Sequence, residues 1–403
     1  MDYLMKKRIS CGLCLLALLC FSVLNAVRAV PELAEEAREV GFVPEKLEAE
    51  LEEELLADDA MTEIRSFAAV ALGKREMSNY SYIRDEDGYI HFGAFYRERN
   101  QRLFEYAARV YRLSASVAEK GTKVLYVSPP AKYLRQAVRL APGLQANDQA
   151  ESMEELLFYL FRMNIPILDL AEAFRRGDVP YLENFYRTDR NWTVDAAFRA
   201  AGLLVEDIRE RWGEDLDPEN FYTDPANYRV KTYRGRMFGS LGRATGQSFT
   251  PPEDFRLYLP RFEGTYRRSS LDSGRWTEEE GSFRRALLDT ELLEAEEEGR
   301  SLYESSLYNL YLNGYNDFDH IENLSAGEGK PRILVICDSY FSPVISFLAP
   351  MCSVIDRVYN LYTGEECSVE RRLAENEYDY VIIEVYPYNL DEDAFNYFVR
   401  EEE

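Results

Sequence analysis

The chain has 403 residues, 46% of them hydrophobic and 30% charged, the profile of one large or two to three ordinary globular domains rather than a collagenous, low-complexity or multi-span membrane chain. With 47 Lys and Arg against 72 Asp and Glu the net charge is −25, so the bulk surface repels a phosphate backbone and no nucleic acid is expected as a partner. His91 and His320 are the only histidines, so any imidazole catalyst or multi-histidine metal site must be built from these two.

Lys6, Lys7 and Arg8 precede an apolar run from Ile9 to Val27, which as a helix would be roughly 28 Å long and just span a bilayer. The positive flank predicts an inside amino terminus and an exported remainder, residues 1–30 being either a cleaved signal peptide or a single membrane anchor. The protein is therefore expected to be extracytoplasmic, secreted or anchored by residues 9–27, and to touch the membrane only there. Residues 31–73 read as an acidic helical stalk, with Leu47, Leu51 and Leu55 on one helix face, and residues 74–403 as the folded domain.

In YIRDEDGYIHFG, Tyr82 to Gly93, the Asp87-Gly88 turn separates two short apolar-aromatic runs, predicting a β-hairpin that carries His91. A helix over about 97–119, the strand KVLYVS (123–128) ended by Pro129-Pro130, a helix over about 152–163 and a strand over 165–170 follow. This alternation predicts a parallel sheet covered on both faces. The rhythm breaks over 220–315, a Tyr-, Arg- and Gly-rich stretch read as a large irregular insertion. It resumes with the strand RILVIC (332–337), a helix through Phe347, a strand over 353–359, a short helix near Glu370 and the strand YVIIEV (380–385). Cys337, Cys352 and Cys367 are the cysteines beyond residue 30; at most one pair can form, and Cys337 on its apolar strand is expected as a buried thiol.

The strand of ILVICDSYFSP, Ile333 to Pro343, runs straight into Asp338-Ser339 and a helix. At the carboxyl end of a strand in an open α/β sheet, a serine can present its hydroxyl beside free backbone N–H groups able to hold an oxyanion. Ser339 is the candidate nucleophile; the alternative is that Asp338 and Ser339 merely cap the helix. The second informative stretch is NFYRTDRNWT, Asn184 to Thr193, ahead of a helix with Ala196, Ala197, Ala200, Leu203, Leu204 and Ile208 on one face.

FYRTDRNWT closely resembles the YRTDHHWT signature of the DHHW family, relatives of the AlgX/AlgJ-like alginate O-acetyltransferases within the SGNH hydrolase superfamily. VICDSYFSPVISFLAP is similar to that family's nucleophile block, in which a Gly usually holds the position of Cys337. GYIHFGAFY, PPAKYL, RGRMFGSLGRATG and YNLYLNGYND extend the resemblance from about Lys74 to the carboxyl end.

The resemblance implies a three-layer, SGNH hydrolase-like (flavodoxin-like) α/β fold with a parallel sheet. It implies acyl transfer without a cofactor, by an O-acetyltransferase or acetyl esterase acting on an envelope or extracellular polysaccharide, with a membrane acetyl-donor protein as a further partner. The family's triad maps onto Ser339, Asp189 and position 191, which here is Asn191; the neighbouring histidine is replaced by Arg190. A neutral carboxamide cannot accept the serine proton as imidazole does. His320, read as lying in a loop that leads into the Ser339 strand, is the candidate substitute base, while His91 looks remote. The alternative is a catalytically degenerate member that binds glycan or scaffolds a polysaccharide biosynthesis complex. Trp192 reads as a sugar-stacking platform or as core, and Arg187 and Arg190 as contacts for an anionic ligand or as surface ion pairs. No CxxC pair, HExxH, GxxxxGK[ST] or GxGxxG occurs, and no metal is expected.

Overall fold

The computed structural model describes residues 58–94, 102–390 and 395–399, together with isolated helical positions 15, 19, 22 and 23. Most of the apolar run 9–27 and residues 31–57 of the acidic stretch lie outside the described residues. Among the described residues no helix is long and apolar enough to cross a membrane.

In chain order the first elements are α1 (Asp58–Ala71) and a small sheet of β1 (Glu76–Met77), β2 (Tyr82–Arg84) and β3 (Ile90–Phe92). The β2–β3 hairpin turns through Gly88 at φ 87°, a conformation that a Cβ would penalise. Next come α2 (Leu103–Val117), β4 (Lys123–Ser128), α3 (Ala150–Arg162), β5 (Ile167–Asp169), α4 (Leu170–Arg176) and α5 (Val194–Trp212). Then β6 (Tyr228–Met237), α6 (Ser240–Thr245), β7 (Glu253–Pro260), β8 (Tyr266–Asp272), β9 (Arg275–Gly281), α7 (Phe283–Leu287) and α8 (Thr290–Glu298) follow. The last elements are β10 (Phe318–Asn323), β11 (Arg332–Cys337), α9 (Ser342–Leu348), β12 (Val354–Tyr359), α10 (Val369–Glu375) and β13 (Tyr380–Glu384).

The central sheet has eight strands in the order β5-β4-β13-β11-β12-β10-β8-β9. The first five are mutually parallel, whereas β10, β8 and β9 continue the sheet antiparallel. Along β11, Ile333, Val335 and Cys337 join the core shared with α5 and α9, while Leu334 and Ile336 face the core shared with α2, α3 and α10. Burial on both faces is why RILVIC reads as a near-continuous apolar run. The fold is thus the three-layer α/β arrangement expected, with a mainly parallel sheet. α5 opens with the Thr193 hydroxyl accepting from Ala196 N–H at 3.2 Å and closes on Gly213 at φ 73°.

Three expectations are corrected. The stretch 220–315 is not irregular: β6 and β7 form a separate two-stranded ribbon, and β8 and β9 extend the central sheet. Polar residues on an edge strand such as RWTEEEG leave no apolar alternation to read. His320 is not in a loop but in the middle of β10, a strand masked because it buries Asp319 as well as apolar side chains. The end of the supposed stalk is docked, because α1 buries Thr62, Ser66 and Ala69, and Glu63 accepts from Gln247 N–H at 2.7 Å and from the Tyr303 hydroxyl. All three cysteines near the carboxyl end are free and buried.

Behind the strand ends, the buried Arg357 of β12 pairs through Nε with Asp319 Oδ2 at 2.9 Å. It also donates to Ser342 Oγ at 3.0 Å and to Asn316 O at 2.8 Å. Because Ser342 is the first residue of α9, this guanidinium fixes where that helix starts. Arg357→Met leaves a buried carboxylate uncompensated and is expected to cost about 3–5 kcal/mol in urea unfolding. Adding Asp319→Leu should recover much of that loss, and no recovery would show that the pair does more than cancel charge.

His320 Nδ1 donates to Asp356 Oδ1 at 2.5 Å, and that hydrogen bond raises its pKa above the ordinary 6.5 against the opposing effect of burial. A raised folded value means that the stabilisation is complete below pH 6.5 and is lost as pH rises through the folded pKa. Relative to His320→Gln, the native chain should lose unfolding free energy as pH rises above 6.5.

Candidate active site

β11 ends at Cys337, and the chain turns through Asp338 into a short 3-10 turn, Ser339–Phe341, before α9. Asp338 takes the capping role: Oδ1 accepts from Tyr340 N–H at 2.9 Å, and Oδ2 accepts from Tyr386 N–H at 2.9 Å and from Asn389 Nδ2 at 2.6 Å. Burial pushes its carboxyl up, opposed by the Tyr386 N–H, Arg190, Asn389 and the Tyr340 N–H. Ser339 is thereby released from capping. It retains 7% exposure, and neither its Oγ nor its N–H is bonded to another described residue, so a hydroxyl and an oxyanion-type donor lie side by side.

Asp189 is buried on the turn before α5. Its Oδ1 accepts from Arg190 N–H at 2.7 Å and from Ser240 Oγ at 3.4 Å, and its Oδ2 accepts from Ser306 Oγ at 3.3 Å. The turn is clamped from behind. Lys132 Nζ donates to Asp189 O at 2.7 Å and to Arg187 O at 2.9 Å, while Glu253 Oε1 accepts from Thr188 N–H at 3.0 Å and Oγ1 at 3.1 Å. Any Cβ at Gly239 would fall inside the Asp189 side chain, so only glycine fits there.

The two turns are locked together. Trp192 Nε1 donates to Tyr340 O at 3.1 Å and to the Tyr308 hydroxyl at 2.8 Å, and the Tyr386 hydroxyl donates to Arg190 O at 3.2 Å. Trp192 stacks on Tyr340 with ring centroids 4.6 Å apart, and Tyr340 stacks on Tyr386 at 4.5 Å. The structure therefore brings Ser339, Asp189, Arg190 and Asn191 to one end of the sheet.

It separates the others. Trp192 is fully buried under Tyr340 and beside Phe174, so it is core and offers no face to a sugar. Arg187 is exposed with its guanidinium 5.8 Å over the Tyr89 ring, a contact with the β2–β3 hairpin and not with the Ser339 turn. Arg190 is half-buried, its guanidinium 5.9 Å over the Tyr386 ring and 3.5 Å from the Tyr315 hydroxyl. Burial works against its charge, but Tyr315, Tyr386, Asp338 and Asp189 outweigh burial and raise its pKa.

Neither histidine serves Ser339. His320 is paired opposite Asp356, and Asp356 opposite Leu334, five positions before Ser339. That places it roughly 16 Å back along the sheet and about 10 Å across it. His91 is buried in the hairpin with Nε2 2.9 Å from Asp85 Oδ2, and burial pushes its pKa down. Asn191 is half-buried, and its carboxamide is bonded to no other described residue. Among the described residues no group of three or more His, Cys, Asp or Glu could hold a metal ion.

Several site residues carried no assigned role in the sequence. Lys132 and Gly239 lie inside PPAKYL and RGRMFGSLG, stretches that supported the resemblance without disclosing a function. Ser306 and Asn389 had no local signal, since each reaches the site from a distant loop.

Gly239→Ala should push Asp189 off its hydroxyl partners and cost about 1–3 kcal/mol of stability, measured by denaturant unfolding. Burial lowers the Lys132 pKa to about 7, partly offset by Glu253, Asp189 and Asp85, and the two N–H bonds of a neutral amine match its two carbonyl acceptors. Because the unfolded chain binds this proton more tightly, native stability should rise with pH above about 7 relative to Lys132→Met. Parallel pH profiles for the two proteins would contradict the assignment.

Residues 86–276 match the family model described as the SGNH hydrolase-like domain of acetyltransferase AlgX. No curated protein matches the chain. Among solved structures, Bacillus cereus PatB1 with a sulfonyl adduct is similar at a TM-score of 0.59 and 16% identity, covering 78% of this chain and 99% of that one. A DHHW family protein from Eubacterium siraeum is similar at a TM-score of 0.55 and 15% identity, covering 78% of this chain and 92% of that one. At such identities the structures speak for the fold, and the family model for residues 86–276. The chain is thus similar over residues 86–276 to the SGNH hydrolase-like domain of acetyltransferase AlgX, and it shares its fold with these solved structures.

Proposed function

We propose that the chain is an exported polysaccharide-modification protein whose Ser339 site has lost its general base and serves to hold glycan within a biosynthetic assembly. The observation that carries this reading is Asn191 at the family's histidine position, with His320 and His91 both committed elsewhere in the fold. A serine hydroxyl without a base is a weak nucleophile. What remains, an N–H donor beside Ser339 and whatever binding the site provides, corresponds to a residual rate of order 10³–10⁴ over water in sites that have lost a triad member. Arg190 and the exposed Tyr315 supply the polar and aromatic surface with which such a site would contact a sugar. The basic residues before the apolar run 9–27 support the export reading.

The second reading is an active O-acetyltransferase or acetyl esterase working through Ser339. The unoccupied Ser339 hydroxyl and N–H and the retained Asp189 favour it.

Treatment with a phenylmethyl sulfonyl fluoride should leave Ser339 unmodified in intact-mass spectra at neutral pH. Rapid modification that disappears in Ser339→Ala would overturn the baseless-site reading and establish an activated serine. Asn191→His should raise hydrolysis of a simple acetyl ester by about 10²-fold or more. A folded Asn191→His protein with no gain would remove the triad assignment of Asp189 and Ser339.

A further inference from the structure

A groove of about 1030 Å³ lies apart from the Ser339 turn, along the outer face of α5. From Asp195 to Arg209 it follows this helix for roughly 21 Å at 1.5 Å per residue. Its far walls are the end of α4 with the segment after it, the loop around Thr223, and β7. One end lies at Thr193, two residues beyond Asn191. Half-buried apolar side chains, Val179 and Leu203 among them, line the bottom.

The charges around this groove are uneven. Asp195 is taken up by Arg256 and by the Tyr258 hydroxyl, and Arg209 by Asp215 at 2.7 Å and Asn220 at 3.0 Å. Asp178, Glu183 and Glu206 are exposed and paired with no cation among the described residues. Only Arg199, which binds Asn184 and lies 5.3 Å from the Phe174 ring, stands against those three carboxylates. The lips are therefore anionic over an apolar floor.

Gly202 is an independent observation. It sits on the groove wall near the middle of α5, where glycine costs about 1 kcal/mol relative to alanine. A Cβ there would meet only Thr223 at 3.8 Å, an ordinary contact, so helix packing does not demand the missing side chain. What its absence does is leave the groove open at its midpoint.

We propose that this groove binds a linear glycan bearing free amino groups, a stretch of de-N-acetylated hexosamine polymer, and so feeds the same chain that the Ser339 site contacts. The apolar faces of the sugar rings lie on the floor, and their ammonium groups pair with Asp178, Glu183 and Glu206. The proposal rests on the polysaccharide reading above and names the chemical class of the polymer. Sulfonyl modification reports on Ser339 alone, so the two readings fail separately.

The test is calorimetric titration of the full chain with a glucosamine hexasaccharide and with its fully N-acetylated counterpart at low ionic strength. The amino form should bind at least tenfold more tightly, and its affinity should fall with added salt. Gly202→Phe, which fills the groove, and Glu206→Gln should each weaken it at least several-fold. Gly202→Ala should fold with equal or higher stability and keep most of the affinity, which separates a filled groove from a damaged helix. Equal binding of the two oligosaccharides, unchanged binding by Gly202→Phe, or no binding of the amino form would each overturn the proposal.

Discussion

Trp192 holds the turn bearing Asp189 against the turn bearing Ser339, and the arrangement of the site depends on this contact. The indole nitrogen donates across the interface to Tyr340 O while its ring stacks on the Tyr340 side chain, so one residue supplies both the directional bond and the buried area. Tyr340 stacks in turn on Tyr386, whose N–H holds Asp338 and whose hydroxyl holds Arg190 O. Two loops from distant parts of the sequence are thus coupled through one aromatic column rooted in the core. A loop carrying buried polar groups is stable only when those groups are bonded, and here Lys132, Glu253, Ser240 and Ser306 meet that demand on the far side of the Asp189 turn.

The same clamps explain why neither histidine comes near Ser339. Asp189 spends its carboxylate on its own turn and on two serine hydroxyls, which keeps the turn in shape without any partner at position 191. His91 satisfies Asp85 within a hairpin, and His320 satisfies Asp356 within the sheet. Moving either to Ser339 would take a hydrogen-bond partner from a buried carboxylate, a cost that a surface loop would not incur. The Ser339 turn and the Asp189 turn are held in place with a carboxamide at position 191, and the groove beside α5 is a second surface apart from them.

The strongly apolar strands were legible because burial on both faces leaves a nearly unbroken apolar run; RILVIC coincides with β11, and KVLYVS with β4. α5 was legible from its apolar periodicity. β8, β9 and β10 were not, since edge position and the buried charge of Asp319 replace alternation with polar residues that read as loop. His320 was misplaced for this reason, and with it the idea that it could reach Ser339.

The sequence by itself determined the likeness to the AlgX SGNH hydrolase-like domain, the layered α/β architecture, the serine at a strand end and the absence of histidine at position 191, because each is written in local order or in residue identity. Tertiary structure alone decided that Trp192 is core, that Asp338 and not Ser339 caps the turn, that Lys132 and Gly239 shape the Asp189 turn, and that neither histidine arrives. Those outcomes depend on contacts between residues up to a hundred or more positions apart, such as Trp192 with Tyr340 and Asp189 with Ser306, which no local pattern encodes.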